Sequence, residues 1–499
     1  MLADALGARW APDAVALELG WGRDHAHGHS HWHVGTTWTY AELQRRVDQA
    51  RGWLQARNLG PGDVLGVQLP RGLEQIQLVL GCMAEGVTVL PLNTAYTPRE
   101  VRFYLQDAGA QRACLLDDVV DALISDPPCA LEPAVTVSMT LAHAPAAAPS
   151  PTPPPDQGLF LFYTSGTTGR PKGALASHAN IHAAVRALDQ AWHWSRDDVL
   201  LHALPLFHVH GLVVALLGAL WAGARTVLVQ RFSAPEVLQG LQDHAATVFM
   251  GVPTFYHRLL SAPGDPDLSR LRLMTSGSAP LPVSVHQAVR ARFGQTILER
   301  YGMSEVGIVL SNPYVGERRP GTVGFPLPGV SARVVDPETE EPAAVDQIGE
   351  IRIAGPSVFS GYLNLPDATA AALAGGEMHT GDLGSVSADG YFTIAGRASD
   401  MVLSGGLNVY PREIEAVLLE HPAVTQTAVV GVPDPDWGER VVGVVVLCSD
   451  ADPAALIAHC RASLAGYKCP KELRVVEALP RNAMGKVQKA RIRADWVSG

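Results

Sequence analysis

Positive charge is in the minority in this chain of 499 residues: 38 Lys and Arg stand against 49 Asp and Glu, giving a formal net charge of -11 and a pI near 5.9. A polyanion such as nucleic acid would be repelled except at a local basic patch, so any anionic ligand needs a dedicated site. Long apolar runs are lacking as well. The run Val213 to Leu220 is broken by Gly218 and soon followed by Gly223 and Arg225, well short of the ~20 residues that span a bilayer. It reads as a buried helix, and no membrane span is expected. Met1 to Asp13 contains no basic stretch followed by a long apolar core, so no secretory signal is expected and a cytoplasmic address is the default. The six cysteines, Cys82, Cys114, Cys129, Cys448, Cys460 and Cys469, include no Cys-x-x-Cys pair. That pattern fits reduced thiols better than a disulfide framework.

What is present is enough apolar surface for a sizeable core, 47% of residues, on a chain too long for one core, since single cores stop growing at roughly 250 to 300 residues. Thr39 with Glu42 reads as a capping box opening a helix through Trp53, and Val64 to Gln68 reads as a short buried strand. The alternation returns at Leu73 to Glu85 and Val87 to Leu92. Strand and helix taking turns predicts layered α/β structure with mostly parallel sheets. The Pro/Ala-rich segment Ala144 to Gln157 cannot form a helix or a central strand and reads as a surface connector. From about residue 400 the chain starts again, with a strand at Met401 to Leu403, a helix at Pro411 to Glu420 and strands at Thr427 to Gly431 and Val441 to Leu447. The expectation is a large α/β N-terminal domain, 1–396, and a small α+β C-terminal domain, 400–499. The run His25, His27, His29, His31, His33 has period-two spacing that would put five imidazoles on one face of a strand, a metal-binding geometry. A polar hairpin insertion is the preferred reading, because only Asp24 offers a carboxylate nearby.

The most specific motif is Tyr163-Thr164-Ser165-Gly166-Thr167-Thr168-Gly169-Arg170-Pro171-Lys172-Gly173, directly behind the apolar strand Leu159 to Phe162. Its glycines let the backbone turn tightly with N–H groups inward, its hydroxyls add donors, and Lys172 adds a cation, which together make a polyphosphate cradle. It lacks the Gly-x-x-x-x-Gly-Lys-Ser/Thr spacing, so a P-loop fold is disfavoured.

This loop resembles the signature of the adenylate-forming superfamily, which includes acyl-CoA synthetases, luciferases and nonribosomal peptide adenylation domains. Further matches follow in the family's order: Leu204 to Gly211, Ser276 to Pro280, Tyr301-Gly-Met-Ser-Glu305, Thr380-Gly-Asp382, Gly396-Arg397, Gly405-Gly406 and Pro480 to Lys486. The resemblance implies ATP, Mg²⁺ and coenzyme A as reactants. Thr164, Ser165, Gly166, Thr167, Thr168, Gly169 and Lys172 would grip the β- and γ-phosphates. Ser276, Gly277, Ser278, Ala279, Arg300, Tyr301 and Gly302 would shape the adenine slot. Glu305 would hold Mg²⁺, with Ser304 near the α-phosphate in place of the family's usual threonine. Asp382 and Arg397 would take the ribose hydroxyls. Lys486 would bridge the substrate carboxylate and the α-phosphate, and His208 would sit at an aromatic gate, with His210 less securely placed.

The implied chemistry is attack of a carboxylate on the α-phosphate, which brings two anions together, so catalysis consists of alignment and charge neutralisation. The small domain is then expected to swing about a hinge near 397–400, with Ser399 at a position where relatives carry Lys or Asp. The swing withdraws Lys486 and brings Gly405 and Gly406 to line the thiol tunnel. Leu90 to Thr97, His202 to Pro205, Met250 to Leu260 and Glu299 to Gly302 look like malonyl-CoA synthetases in particular, whereas Val306-Gly-Ile308 leaves room for methylmalonate or a short monocarboxylate. Arg258, on the helical turn of Phe255 and Leu259, is the expected partner of a distal carboxylate, with a surface role as the alternative. Rival readings are an amino-acid adenylation enzyme, a luciferase-like oxygenase and a nucleotide-binding scaffold. The first is expected to carry an acid for the substrate ammonium and a carrier domain downstream. The last is disfavoured by intact Lys172, Glu305, Asp382 and Lys486.

Overall fold

The computed structural model describes residues 6–20, 35–125, 141, 144, 147–164, 171–404, 406–481 and 486–498. The histidine run 25–33 lies outside the described residues.

The local signals act much as their chemistry dictates. Helix Tyr40–Gln55 starts where Thr39 Oγ1 accepts the Glu42 N–H at 3.2 Å, but the return half of the expected capping box is absent because the Glu42 carboxylate turns to Arg45 and Arg46. Strand Val64–Val67, helix Leu73–Glu85 and strand Thr88–Pro91 follow as read. The 144–157 connector carries no helix or strand in its described part, and it is tied down where Ser150 Oγ accepts from Arg51 and Ala148 bonds Gln55. The apolar run near 213 is a buried wide helical segment, His210–Leu217, continued by an α-helical turn Gly218–Ala222.

Two large sheets form the body of the molecule. One has nine strands in the order 325–326, 307–311, 298–303, 273–276, 248–251, 199–202, 225–228, 15–19 and 37–39; the other has six, in the order 361–362, 172–177, 158–164, 88–91, 64–67 and 112–114. Their central strands are mainly parallel and covered on both faces, which is why Val248–Gly251 and Leu273–Ser276 are buried along their whole length. A four-stranded antiparallel sheet, 331–335, 349–354, 378–386 and 392–397, completes the large unit.

The small unit is a separate five-stranded sheet built on the long hairpin Val424–Asp434 and Gly438–Leu447. Alternating strand residues serve two cores: Val429, Val441 and Val445 pack with Ile414, Leu418, Leu456 and Cys460, while Ala428, Val430, Val442 and Val444 pack with Ile492 and Trp496. Among the described residues no helix is long and apolar enough to cross a membrane.

Candidate active site

The site lies where the ends of these sheets meet the small unit. Strands Gly158–Thr164 and Lys172–Ser177 form a hairpin whose last paired residues are Thr164 and Lys172. Ser165, Gly166, Thr167, Thr168 and Gly169 fall in its loop and lie outside the described residues. At the base of the loop Glu305, 4% exposed, accepts from Thr164 Oγ1 at 3.3 Å and from the Tyr362 hydroxyl at 3.0 Å. Lys172 Nζ stands 5.1 Å from the centre of the Tyr362 ring. Tyr362 thus lies between Glu305 and Lys172. The sequence reading missed it, although Gly361-Tyr362 pairs as a short strand with 174–175 and could have been placed beside the loop. Ser304 occupies the turn after strand Leu298–Met303, immediately before Glu305.

Asp382 is buried on strand Met378–Val386 and pairs across the sheet with Arg397, whose Nε lies 2.7 Å from Oδ1. The Tyr301 hydroxyl donates to Oδ2 at 2.5 Å. Burial pushes the Asp382 carboxyl up, while Arg397, Tyr301 and Lys486 pull it back. Lys486 comes from the small unit, where Arg481 and Val487 form a backbone bridge; residues 482–485 lie outside the described residues. Lys486 keeps contact with solvent, yet its ammonium is held below the ordinary lysine value, first by burial among the cleft walls and then by Arg397 and Arg300, against the pull of Asp382 and Glu305. Hairpin residue Gly406 turns at φ 79°; its neighbour Gly405 lies outside the described residues.

The third wall is the end of strand Leu273–Ser276. Ser276 is fully buried, Gly277 follows, and Ser278 takes a left-handed φ of 68°. Ala279 is exposed. The Arg300 guanidinium lies directly against the Gly277 backbone: a Cβ there would lie 2.4 Å from Arg300 Cζ and displace the side chain. Gly302 is constrained more tightly, since a Cβ there would meet the Gly307 backbone carbonyl at 2.0 Å. Arg300 is 4% exposed, and neither its Nε nor its Nη2 has a hydrogen-bond partner among the described residues. Burial pushes its guanidinium down to about 9. Two histidines stand beside it. His208 is half-buried and pushed down to about 3 by burial, with Lys486 and Arg300 adding to the effect. His210 is buried, bonds Ser278 Oγ through Nδ1 at 3.2 Å, and is pushed well below the usual imidazole value. Both rings are therefore neutral at physiological pH, which leaves Arg300 as the fixed positive charge of this wall.

Arg258 does not join this constellation. On helix Pro253–Ser261 the buried residues are Tyr256 and Leu259, and Arg258 falls about 200° around the helix from Tyr256, on the exposed side. The same turn carries Phe255 inward, stacked on Phe232 at 3.7 Å. The exposed position of Arg258 gives no support to the expectation that it faces a buried acyl pocket.

A hairpin loop with a lysine, an acidic residue beneath it, a buried Asp382 paired with an exposed Arg397 and a lysine delivered by a second unit are the features the adenylate-forming fold leads one to expect. Comparison with known proteins agrees. A model of the AMP-binding enzyme family matches residues 8–363, and a model of the AMP-binding enzyme C-terminal domain matches 413–486. The chain belongs to the AMP-binding enzyme family, as an AMP-forming acid–CoA ligase. It is 39% identical to the mitochondrial malonate–CoA ligase ACSF3 of Mus musculus over 82% of this chain and 77% of that protein. It is also 39% identical to a sulfoacetate–CoA ligase of Cupriavidus necator over 88% of each. Crystal structures of MatB from Rhodopseudomonas palustris superpose with TM-scores of 0.91 in the ATP-bound form and 0.82 in the apo form; the former is 38% identical and covers 99% of both chains.

Proposed function

We propose that this ligase activates a short carboxylic acid carrying a second anionic group, malonate or methylmalonate, and transfers it to coenzyme A. The observation that carries the reading is Arg300: a buried guanidinium with two unpartnered N–H-bearing nitrogens at the wall of the site. A charge in that position is costly unless paired, and a planar fork binds a carboxylate bidentately. Arg300, expected from the sequence at the adenine slot, is thereby given the role first assigned to Arg258. The similarity to malonate–CoA ligases supports the choice of acid, and the similarity to a sulfoacetate–CoA ligase fits the same anchor, because a sulfonate also presents anionic oxygens.

The remaining residues divide the chemistry between them. Thr164, Lys172 and the loop 165–169 hold the β- and γ-phosphates; Asp382, with lone pairs left beside Arg397 and Tyr301, accepts from the ribose hydroxyls; Ser276, Gly277, Ser278, Ala279, Tyr301 and Gly302 frame the base. The donor set fits Mg²⁺. Among the described residues no cluster of three His, Cys, Asp or Glu could hold a metal by itself, and a single carboxylate, Glu305, suits an ion that keeps most of its bonds for water and phosphate. When bound, that ion neutralises charge on the phosphates. Lys486 approaches between the acid carboxylate and the α-phosphate, offsets their repulsion, and favours the transition state over separated ions. Pyrophosphate leaves, and the acyl-AMP stays shielded from water. Ser304 lies near the α-phosphate and neutral His208 near the thiol entrance. In the second step the small unit turns about 397–400, and Gly405 and Gly406 line the thiol path. Unpaired Cys82, Cys114, Cys448, Cys460 and Cys469 support a reducing, cytoplasmic compartment.

Pyrophosphate release from ATP should be measured with malonate, methylmalonate, sulfoacetate, propionate and butyrate, with and without coenzyme A. The expected result is release that depends on malonate and yields AMP and a CoA thioester. Preference for butyrate would sink the dianion reading and leave the ligase assignment standing.

A further inference from the structure

Two charged residues outside the reacting site meet where the two units join. Arg412 is the second residue of helix Pro411–Glu420 in the small unit, and its side chain is 20% exposed. It reaches into the large unit, donating through Nη1 to the Ile394 carbonyl of strand Phe392–Arg397 and placing Nη2 4.0 Å from Glu299 Oε1. Glu299 is 3% exposed on strand Leu298–Met303, next in sequence to Arg300. Successive strand residues point to opposite faces, so one strand presents Arg300 to the acid site and Glu299 to the small unit. Glu299 Oε1 accepts the Leu281 N–H at 3.3 Å, and Oε2 has no partner among the described residues.

The arrangement is lopsided. The cation that faces Glu299 comes from the other unit, whereas the acids on Arg412's own helix are already engaged, Glu413 with Lys468 at 2.7 Å and Glu415 with the Val429 N–H at 2.8 Å and Lys489 at 2.7 Å. A carboxylate so deeply buried is costly without a counter-charge. Seating the small unit therefore supplies the charge that Glu299 needs, and the same movement delivers Lys486.

We propose that Arg412 is a positioning residue for acyl-AMP formation: by pairing with Glu299 and the Ile394 carbonyl it seats the small unit, and with it Lys486, over the nucleotide and acid. Arg412 touches neither reactant and acts through Lys486. The proposal rests on the reading that Lys486 serves the adenylation step.

The test separates the two half-reactions in Arg412→Ala, Glu299→Gln and the double variant. Acid-dependent exchange of labelled pyrophosphate into ATP reports adenylation, with whichever panel acid gives the fastest wild-type exchange. Conversion of supplied propionyl-AMP with coenzyme A reports the second step and shows that the variant is folded. Arg412→Ala should lower kcat of exchange at least tenfold with KM for ATP and acid little changed, while thioester formation stays within about threefold of wild type. Glu299→Gln should lower exchange by a smaller factor. The double variant should be no worse than Arg412→Ala, because the two changes remove one interaction. Equal loss in both half-reactions, additive losses in the double variant, or exchange within twofold of wild type in Arg412→Ala would overturn the proposal. If no acid supports exchange in the wild type, the adenylation reading itself fails, a result separable from any ratio between variants.

Discussion

Arg300→Met is the perturbation that probes the acid site most sharply, because it should move stability and activity in opposite directions. In the wild type burial pushes the guanidinium down to about 9, against an ordinary value of roughly 12.5 or above. Each decade of that fall corresponds to about 1.4 kcal/mol, so the charged side chain costs the unliganded fold on the order of 5 kcal/mol. The sign follows from the direction: arginine is charged in both folded and unfolded chains near pH 7, the full penalty is present there, and it is relieved only as pH rises through the depressed value. Methionine removes the charge and keeps most of the volume. Part of the gain is lost to imperfect refilling beside Gly277, so an increase of about 1 to 3 kcal/mol is expected in a denaturant titration without ligand. With malonate present the order reverses, since the fork that would bind the distal carboxylate is gone. A loss of about 3 kcal/mol in transition-state binding lowers kcat/KM for malonate by two or more decades, while propionate is unaffected or improved. The assay is pyrophosphate release with both acids, alongside unfolding curves with and without malonate. Destabilisation of the unliganded protein, with equal loss for both acids, would show that Arg300 is structural and refute the argument. Arg258→Leu is the matching control and should leave the malonate-to-propionate ratio unchanged.

Gly277→Ala places a Cβ 2.4 Å from Arg300 Cζ and 2.5 Å from its Nη1; the guanidinium must move, and KM for malonate should rise about tenfold with a much smaller effect on propionate, which steady-state kinetics would reveal. Lys486→Ala should lower acid-dependent pyrophosphate exchange by about 10² to 10³ or more and spare conversion of supplied acyl-AMP; equal damage to both would mean a folding role. The Lys486 ammonium is held below its ordinary value, so the cation is present below that depressed pKa and lost as pH rises through it. The alkaline limb of exchange should therefore fall at lower pH than free lysine, roughly 10.4, and be absent from the thioester step. Glu299 is pushed up to about 7 by burial: its ionisation costs the fold nothing at pH 4, costs progressively more as pH rises to 7, and is constant above. Glu299→Gln should accordingly raise stability at pH 8 by up to about 3 kcal/mol and leave it unchanged near pH 4, as read from denaturant midpoints at the two pH values.

The motifs proposed for this site are local, which is why a sequence can display them. Thr164 and Lys172 pair at the end of one hairpin, and the Asp382 and Arg397 motifs fall on neighbouring strands of one sheet. The strand and helix alternation from 64 to 92 and the restart after 400 depend on periodicity and turn chemistry, which a sequence carries openly. The failures are tertiary. Arg258 and Arg300 both sit in segments that resemble the family, and the sequence does not tell that the first is exposed on its helix and the second buried against Gly277. Tyr362 reaches Glu305 only because strand 361–362 pairs beside the phosphate hairpin. The Glu299–Arg412 pair joins two units, and no local pattern marks either residue as the other's partner.

Acyl-AMP formation itself is tested most directly by isotope transfer. If the acid carboxylate attacks the α-phosphate of ATP, one oxygen of ¹⁸O-labelled malonate must appear in AMP, because the bond broken by the incoming thiol is the one between the acyl carbon and that oxygen. The account predicts AMP carrying one label per turnover and unlabelled pyrophosphate, read by mass spectrometry. Label in orthophosphate with ADP as the nucleotide product, or label in neither, would contradict it.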